Sequence, residues 1–134
     1  MLDVAHNPAG AWALRSTLST CYEDRRIIFV FGAMRDKAIG EIAEVLFPVA
    51  ERIIATRADN PRSASPEEIR DAAVRTQAEI ELAPDVPSAI ERARDVALSD
   101  RPTQPSADAV VVITGSIYVV GEAMRALRAG GDGE

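Results

Sequence analysis

The sequence predicts an α/β fold, a doubly wound and mostly parallel sheet, on two observations. Short apolar runs alternate along the chain with stretches whose apolar residues recur at helical spacing. Two of the runs, Ile27 to Phe31 and Ala109 to Ile113, are apolar at successive positions, the pattern of strands covered on both faces. Strands and helices in strict alternation close parallel pairs through right-handed crossovers. No internal repeat interrupts the series.

Taken in order, Asp3-Val4-Ala5-His6-Asn7-Pro8 has the form of a loop leaving a strand, with Leu2 immediately before it. A strand usually takes about five residues, so the first strand reads as truncated and the chain as a piece cut from a longer protein. Asn7 suits an N-cap and Pro8 a first helical turn, opening a helix to about Cys21. The run Arg26 to Phe31 is the next strand. Ile39, Ile42, Ala43, Leu46 and Phe47 then mark a helix that fails near Pro48. Arg52 to Thr56 is a strand. Ser65-Pro66-Glu67-Glu68 starts a helix, with Ser65 as cap and two carboxylates against the positive dipole end, running to about Thr76. Glu79 to Leu82 reads as a shorter, more exposed strand, followed by a helix over about 86–98 and a polar loop over 99–106 containing Pro102 and Pro105. The last strand, Ala109 to Ile113, leads into a helix from about Ile117 to Arg128. Residues 1–129 thus form one domain, and 130–134 a disordered tail.

At 134 residues and 47% apolar, the chain can bury one core, and with aromatics at 4% that core is aliphatic. A net charge of −6 argues against binding a phosphate backbone, hence no nucleic-acid partner. His6 is the only histidine and Cys21 the only cysteine, which leaves no Cys/His metal site and no internal disulfide. A reducing cytoplasm is the natural setting. The apolar runs fall far short of a membrane span, and no signal peptide precedes the first motif.

In an open α/β sheet ligands bind beyond the carboxyl ends of the strands. Three strand-to-helix turns are rich there: Asp3 to Pro8, Gly32 to Lys37, and Thr114 to Tyr118; a fourth, Thr56 to Arg62, is polar but longer. In the first, Asp3 suits the hydroxyls of a ribose, or satisfies local amides. Asn7 is foremost a cap, and His6, with no acidic or nucleophilic partner in view, foremost a loop hydrogen-bonder. In the second, Asp36 can cap a helix starting at Lys37. A cation in a first helical turn is disfavoured by roughly 0.3–1 kcal/mol, so the chain's only lysine hints at an anion, against the plainer reading of a solvated side chain. In the third, Gly115 permits close backbone approach and Ser116 can cap the helix. In the fourth, Arg57 and Arg62 could hold a carboxylate or simply be solvated. Neither Gly-x-x-x-x-Gly-Lys-Ser/Thr nor Gly-x-Gly-x-x-Gly occurs.

Together these segments resemble the C-terminal domain of folylpolyglutamate/dihydrofolate synthases, of the Mur ligase type. The family's Asp-Gly-Ala-His-Asn-Pro appears as Asp3-Val4-Ala5-His6-Asn7-Pro8, with Val4 for the usual glycine. Its Asp-Lys pair matches Asp36-Lys37, its Pro-Arg stretch Asn60-Pro61-Arg62-Ser63, and its Thr-Gly-Ser-Leu-Tyr-Leu-Val-Gly-Glu signature Thr114 to Glu122. The resemblance implies a Rossmann-like domain of an ATP-driven ligase that joins L-glutamate to folate or dihydropteroate through an acyl phosphate. It implies ATP contacts for Asp3, Asn7 and Lys37, a catalytic and substrate-seating role for His6, and substrate contacts for Ser116 and Tyr118. ATP and magnesium are the implied cofactors. The magnesium ligands and the P-loop are expected in an N-terminal partner domain, so this piece alone should bind ATP weakly and be inactive. A peptidoglycan-precursor ligase domain and a non-catalytic α/β binding module are the competing readings.

Overall fold

The computed structural model describes residues 1–22, 24–99 and 109–131. The expected proline-bearing loop, apart from Ser99, and the last three residues of the expected tail lie outside them. Five strands form one sheet: β1 (Leu2–Asp3), β2 (Arg26–Phe31), β3 (Arg52–Ala55), β4 (Ile80–Leu82) and β5 (Ala109–Thr114). Their spatial order is β1-β5-β2-β3-β4, and every pairing is parallel. The helices are α1 (Pro8–Cys21), α2 (Ile39–Leu46), α3 (Pro66–Ala72), α4 (Val86–Ser99) and α5 (Ile117–Gly131), with 3-10 turns at Phe47–Val49 and Val74–Thr76.

The continuous apolar runs are buried on both faces, as their patterning requires. Ile27, Phe29 and Phe31 join α1, α2 and α3 in one core, where Phe31 meets Phe47 edge to face at 5.4 Å between ring centroids. Ile28 and Val30 point the other way, into a second core with α4 and α5. β4 is short and partly exposed, as anticipated, and lies at the edge of the sheet. β1 holds only two residues, paired to Ile113 and Thr114 of β5.

Two local expectations change. Asp36 does not cap α2, which starts at Ile39 with Ala38 as a cap residue lacking any side-chain bond. The reason is a tight turn: the Lys37 amide donates to the Met34 carbonyl at 3.1 Å, which holds residues 34–37 outside the helix. Lys37 is therefore a loop cation, and the helix-dipole argument made for it lapses. At the other end, α5 continues through Gly130 and Gly131, the first residues of the expected tail.

The sheet order fixes where a ligand fits. α1 and α2, which follow β1 and β2, pack on one face, whereas α5, which follows β5, packs on the other. β5 lies between β1 and β2. The chain thus leaves neighbouring strands toward opposite faces, and the crevice at such a switch point is where α/β sheets take ligands.

Candidate functional site

The carboxyl ends of β1, β5 and β2 are level. Asp3 and Phe31 are both in register with Thr114. Thr114 is fully buried, and its Oγ1 accepts from the Ala5 amide at 3.2 Å, tying the Asp3–Pro8 loop to β5. Gly115 follows at φ +117°, and a Cβ there would stand 2.0 Å from the Gly32 carbonyl oxygen. Gly32 is as closely held: its own Cβ would meet Val119 Cγ2 at 2.6 Å. Two glycines therefore let the turns after β2 and β5 lie against each other.

The turn after β2 is in turn stitched to the loop after β3. Met34 and Ser63 form an antiparallel bridge, the Ala64 amide donates to the Ala33 carbonyl at 2.9 Å, and Arg62 Nη2 lies 3.6 Å from Asp36 Oδ2. From the opposite side, Glu122 of α5 accepts the Asp59 amide with Oε2 at 2.6 Å.

Beside these ties lies a cavity of about 380 Å³, lined by Val4, His6, Met34, Asp36, Lys37, Arg62, Ser116, Ile117 and Tyr118. The polar part of its wall comes from Lys37, Arg62, Asp36, His6 and Ser116, two cations against one carboxylate that lies beside Arg62. The other is apolar, from Val4, Ile117 and Tyr118, whose side chains are solvent-exposed. Arginine and lysine are charged donors without acceptor capacity, so the polar part suits a carboxylate or phosphate.

The site residues expected from the sequence divide. His6, Lys37, Ser116 and Tyr118 line the cavity together. Asp3 and Asn7 are not among its lining residues: Asp3 ends β1 beside Thr114, and Asn7 Oδ1 accepts the Gly10 amide at 2.7 Å as the α1 cap. Ser116 is also a cap, its buried Oγ accepting the Val119 amide at 3.1 Å. His6 is exposed, with Nδ1 3.4 Å from the Val4 carbonyl oxygen. Val4, the residue in place of the usual glycine, avoids positive φ. Arg62 enters the cavity while Arg57 does not line it. Met34 and Ile117 are lining residues the sequence did not single out, and a bridge to the distant Ser63 ties down Met34.

The chain's first 117 residues match the family model for the Mur ligase glutamate ligase domain. The chain belongs to that family. It is 33% identical to the dihydrofolate synthase/folylpolyglutamate synthase of Mycobacterium tuberculosis over 136 aligned positions, covering 91% of this chain and 26% of that relative. It is 32% identical to a probable bifunctional folylpolyglutamate synthase/dihydropteroate synthase of Halobacterium salinarum, covering 92% of this chain and 14% of that one. The chain therefore spans about a quarter or less of the length of these relatives. Among solved structures, M. tuberculosis folylpolyglutamate synthase complexed with ADP and AMPPCP superimposes with a TM-score of 0.82 at 32% identity, over 93% of this chain and 28% of the other. The bifunctional Yersinia pestis synthase complexed with AMPPNP and manganese gives 0.74 at 29%, over 95% and 28%.

Among the described residues no group of three or more His, Cys, Asp or Glu side chains is placed to hold a metal ion. No helix among them is long and apolar enough to cross a membrane.

Proposed function

We propose that this glutamate ligase domain belongs to an ATP-dependent ligase that adds L-glutamate to folate or dihydropteroate. In that reaction ATP activates the pterin-bearing carboxylate as an acyl phosphate, releasing ADP. The amine of glutamate then displaces phosphate to form the amide. One observation carries the reading: Val4 and His6 of the first turn, Asp36 and Lys37 of the second, Arg62, and Ser116 to Tyr118 line a single cavity. Its chemistry fits a small dicarboxylate. Arg62 and Lys37 offer charged donors for a carboxylate, and Val4 and Ile117 offer an apolar wall for the methylene stem. His6, Ser116 and Tyr118 border the space where the amine and the acyl phosphate would meet.

Asp3, at the carboxyl end of β1, is proposed to contact ATP near the ribose rather than the amino acid. The P-loop and magnesium ligands are assigned to the part of the ligase beyond this domain. A lone domain of this kind orients substrates but lacks phosphate-cradling machinery, so it is expected to be inactive by itself. The peptidoglycan-precursor alternative is less well supported, since the relatives that match over nine-tenths of the chain are folate ligases by name.

In the complete ligase, Lys37→Ala and Arg62→Ala should each lower kcat/KM for glutamate by at least an order of magnitude, about 1.4 kcal/mol of transition-state stabilisation. Asp3→Ala should act instead on ATP. Unchanged glutamate kinetics in both cavity variants would remove the cavity from the reaction.

A further inference from the structure

We propose that Arg35 is a positioning residue that sets the place of Arg62 in the cavity. The inference rests on reading that cavity as an anion site. Arg35 does not line the cavity, but it gathers three consecutive carbonyls of the loop that carries Arg62. Its backbone amide donates to the Arg62 carbonyl at 2.8 Å. Its Nη2 donates to the Ser63 carbonyl at 3.2 Å and its Nη1 to the Pro61 carbonyl at 3.5 Å. The same guanidinium forks onto Glu68, with Nε 3.3 Å from Oε2 and Nη2 3.4 Å from Oε1.

Glu68 is itself fixed. Its Oε1 accepts the Ser65 amide at 2.9 Å while its own amide donates to Ser65 Oγ at 3.1 Å, a reciprocal capping box at the start of α3. A chain of contacts therefore runs from the α3 cap through Glu68 and Arg35 to the backbone on both sides of Arg62. Along the sequence Arg35 also adjoins Asp36 and Lys37, the other charged groups of that wall. With its side chain 56% exposed, the Arg35–Glu68 pair contributes little to global stability. Its effect is geometric, because a planar five-donor fork can serve a carboxylate and two carbonyls at once and a lysine cannot.

The test uses the 134-residue chain, with L-glutamate as probe and backbone amide resonances as readout. Arg35→Ala should leave the unfolding midpoint nearly unchanged, speed amide exchange at Ser63 and Ala64, and weaken the glutamate response at Lys37 and Arg62 about tenfold. Arg35→Lys, which keeps the charge but not the fork, should resemble Arg35→Ala, and Glu68→Gln should move the same readouts in the same direction. Exchange and titration unchanged in Arg35→Ala, or full rescue by Arg35→Lys, would overturn the proposal. A wild-type chain silent to glutamate would overturn the cavity reading itself and the positioning role with it.

Discussion

Replacing Gly115 with alanine is the sharpest perturbation of the rim. Two costs follow from the geometry. At φ +117° an L residue is strained, by about 1–3 kcal/mol. A Cβ would also lie 2.0 Å from the Gly32 oxygen and 2.9 Å from the Gly32 carbonyl carbon, forcing the turns after β2 and β5 apart at a further ~1–3 kcal/mol. The gain from a stiffer unfolded chain, less than about 1 kcal/mol, has the opposite sign and cannot compensate. A net loss of about 1–6 kcal/mol is a large share of the roughly 5–15 kcal/mol that holds a domain of this kind together. Urea unfolding should show it: a loss near 4 kcal/mol moves the midpoint by about 2 M for a slope of about 2 kcal/mol/M. Gly121→Ala is the control. Gly121 lies within α5, and a Cβ there would meet only Arg125 Nη1, at 3.9 Å, so this change should stabilise by about 0.5–1 kcal/mol. A Gly115→Ala midpoint within about 0.5 kcal/mol of wild type would refute the close approach of the two turns.

Other consequences are open to measurement. Thr114→Val leaves the buried Ala5 amide without its acceptor, at about 1–3 kcal/mol, whereas Thr114→Ser should retain most of the stability. Ser65→Ala removes the α3 cap and should cost about 1 kcal/mol in thermal unfolding. The Ser65 amide first, and then the Arg35 guanidinium, hold the Glu68 carboxyl below its ordinary value of 4.5. A carboxyl lowered by folding stabilises fully above its unfolded value and loses that contribution as pH falls through the folded one. Glu68→Gln should therefore flatten the acid limb of the stability profile below about pH 4.5; an identical limb would exclude Glu68 from it.

The sheet was legible because β2 and β5 each carry five consecutive apolar residues. Ile27 to Phe31 feeds two cores at once, and a run of that kind has no solvent face to offer. Helix starts were legible where a local side chain caps them, as at Asn7 and Ser65. The start of α2 was not, because a backbone turn from Met34 to Lys37 delays the helix and no side chain caps it. The same limit applied to the site. Each turn could be marked as polar from its own residues, and the family motifs named His6, Lys37, Ser116 and Tyr118. Local patterning could not bring Met34 or Arg62 to them, because an antiparallel bridge and a set of backbone bonds between two loops do so. The capping roles read for Asn7 and Ser116 are the ones their side chains take, each accepting an amide of its own helix.

The most direct measurement is an amide-resonance titration of the chain with L-glutamate. Val4, His6, Lys37, Arg62 and Tyr118 should shift together along one binding isotherm, since all five face one space. Shifts confined to a single corner, or gathered around β4 at the far edge of the sheet, would contradict the common cavity.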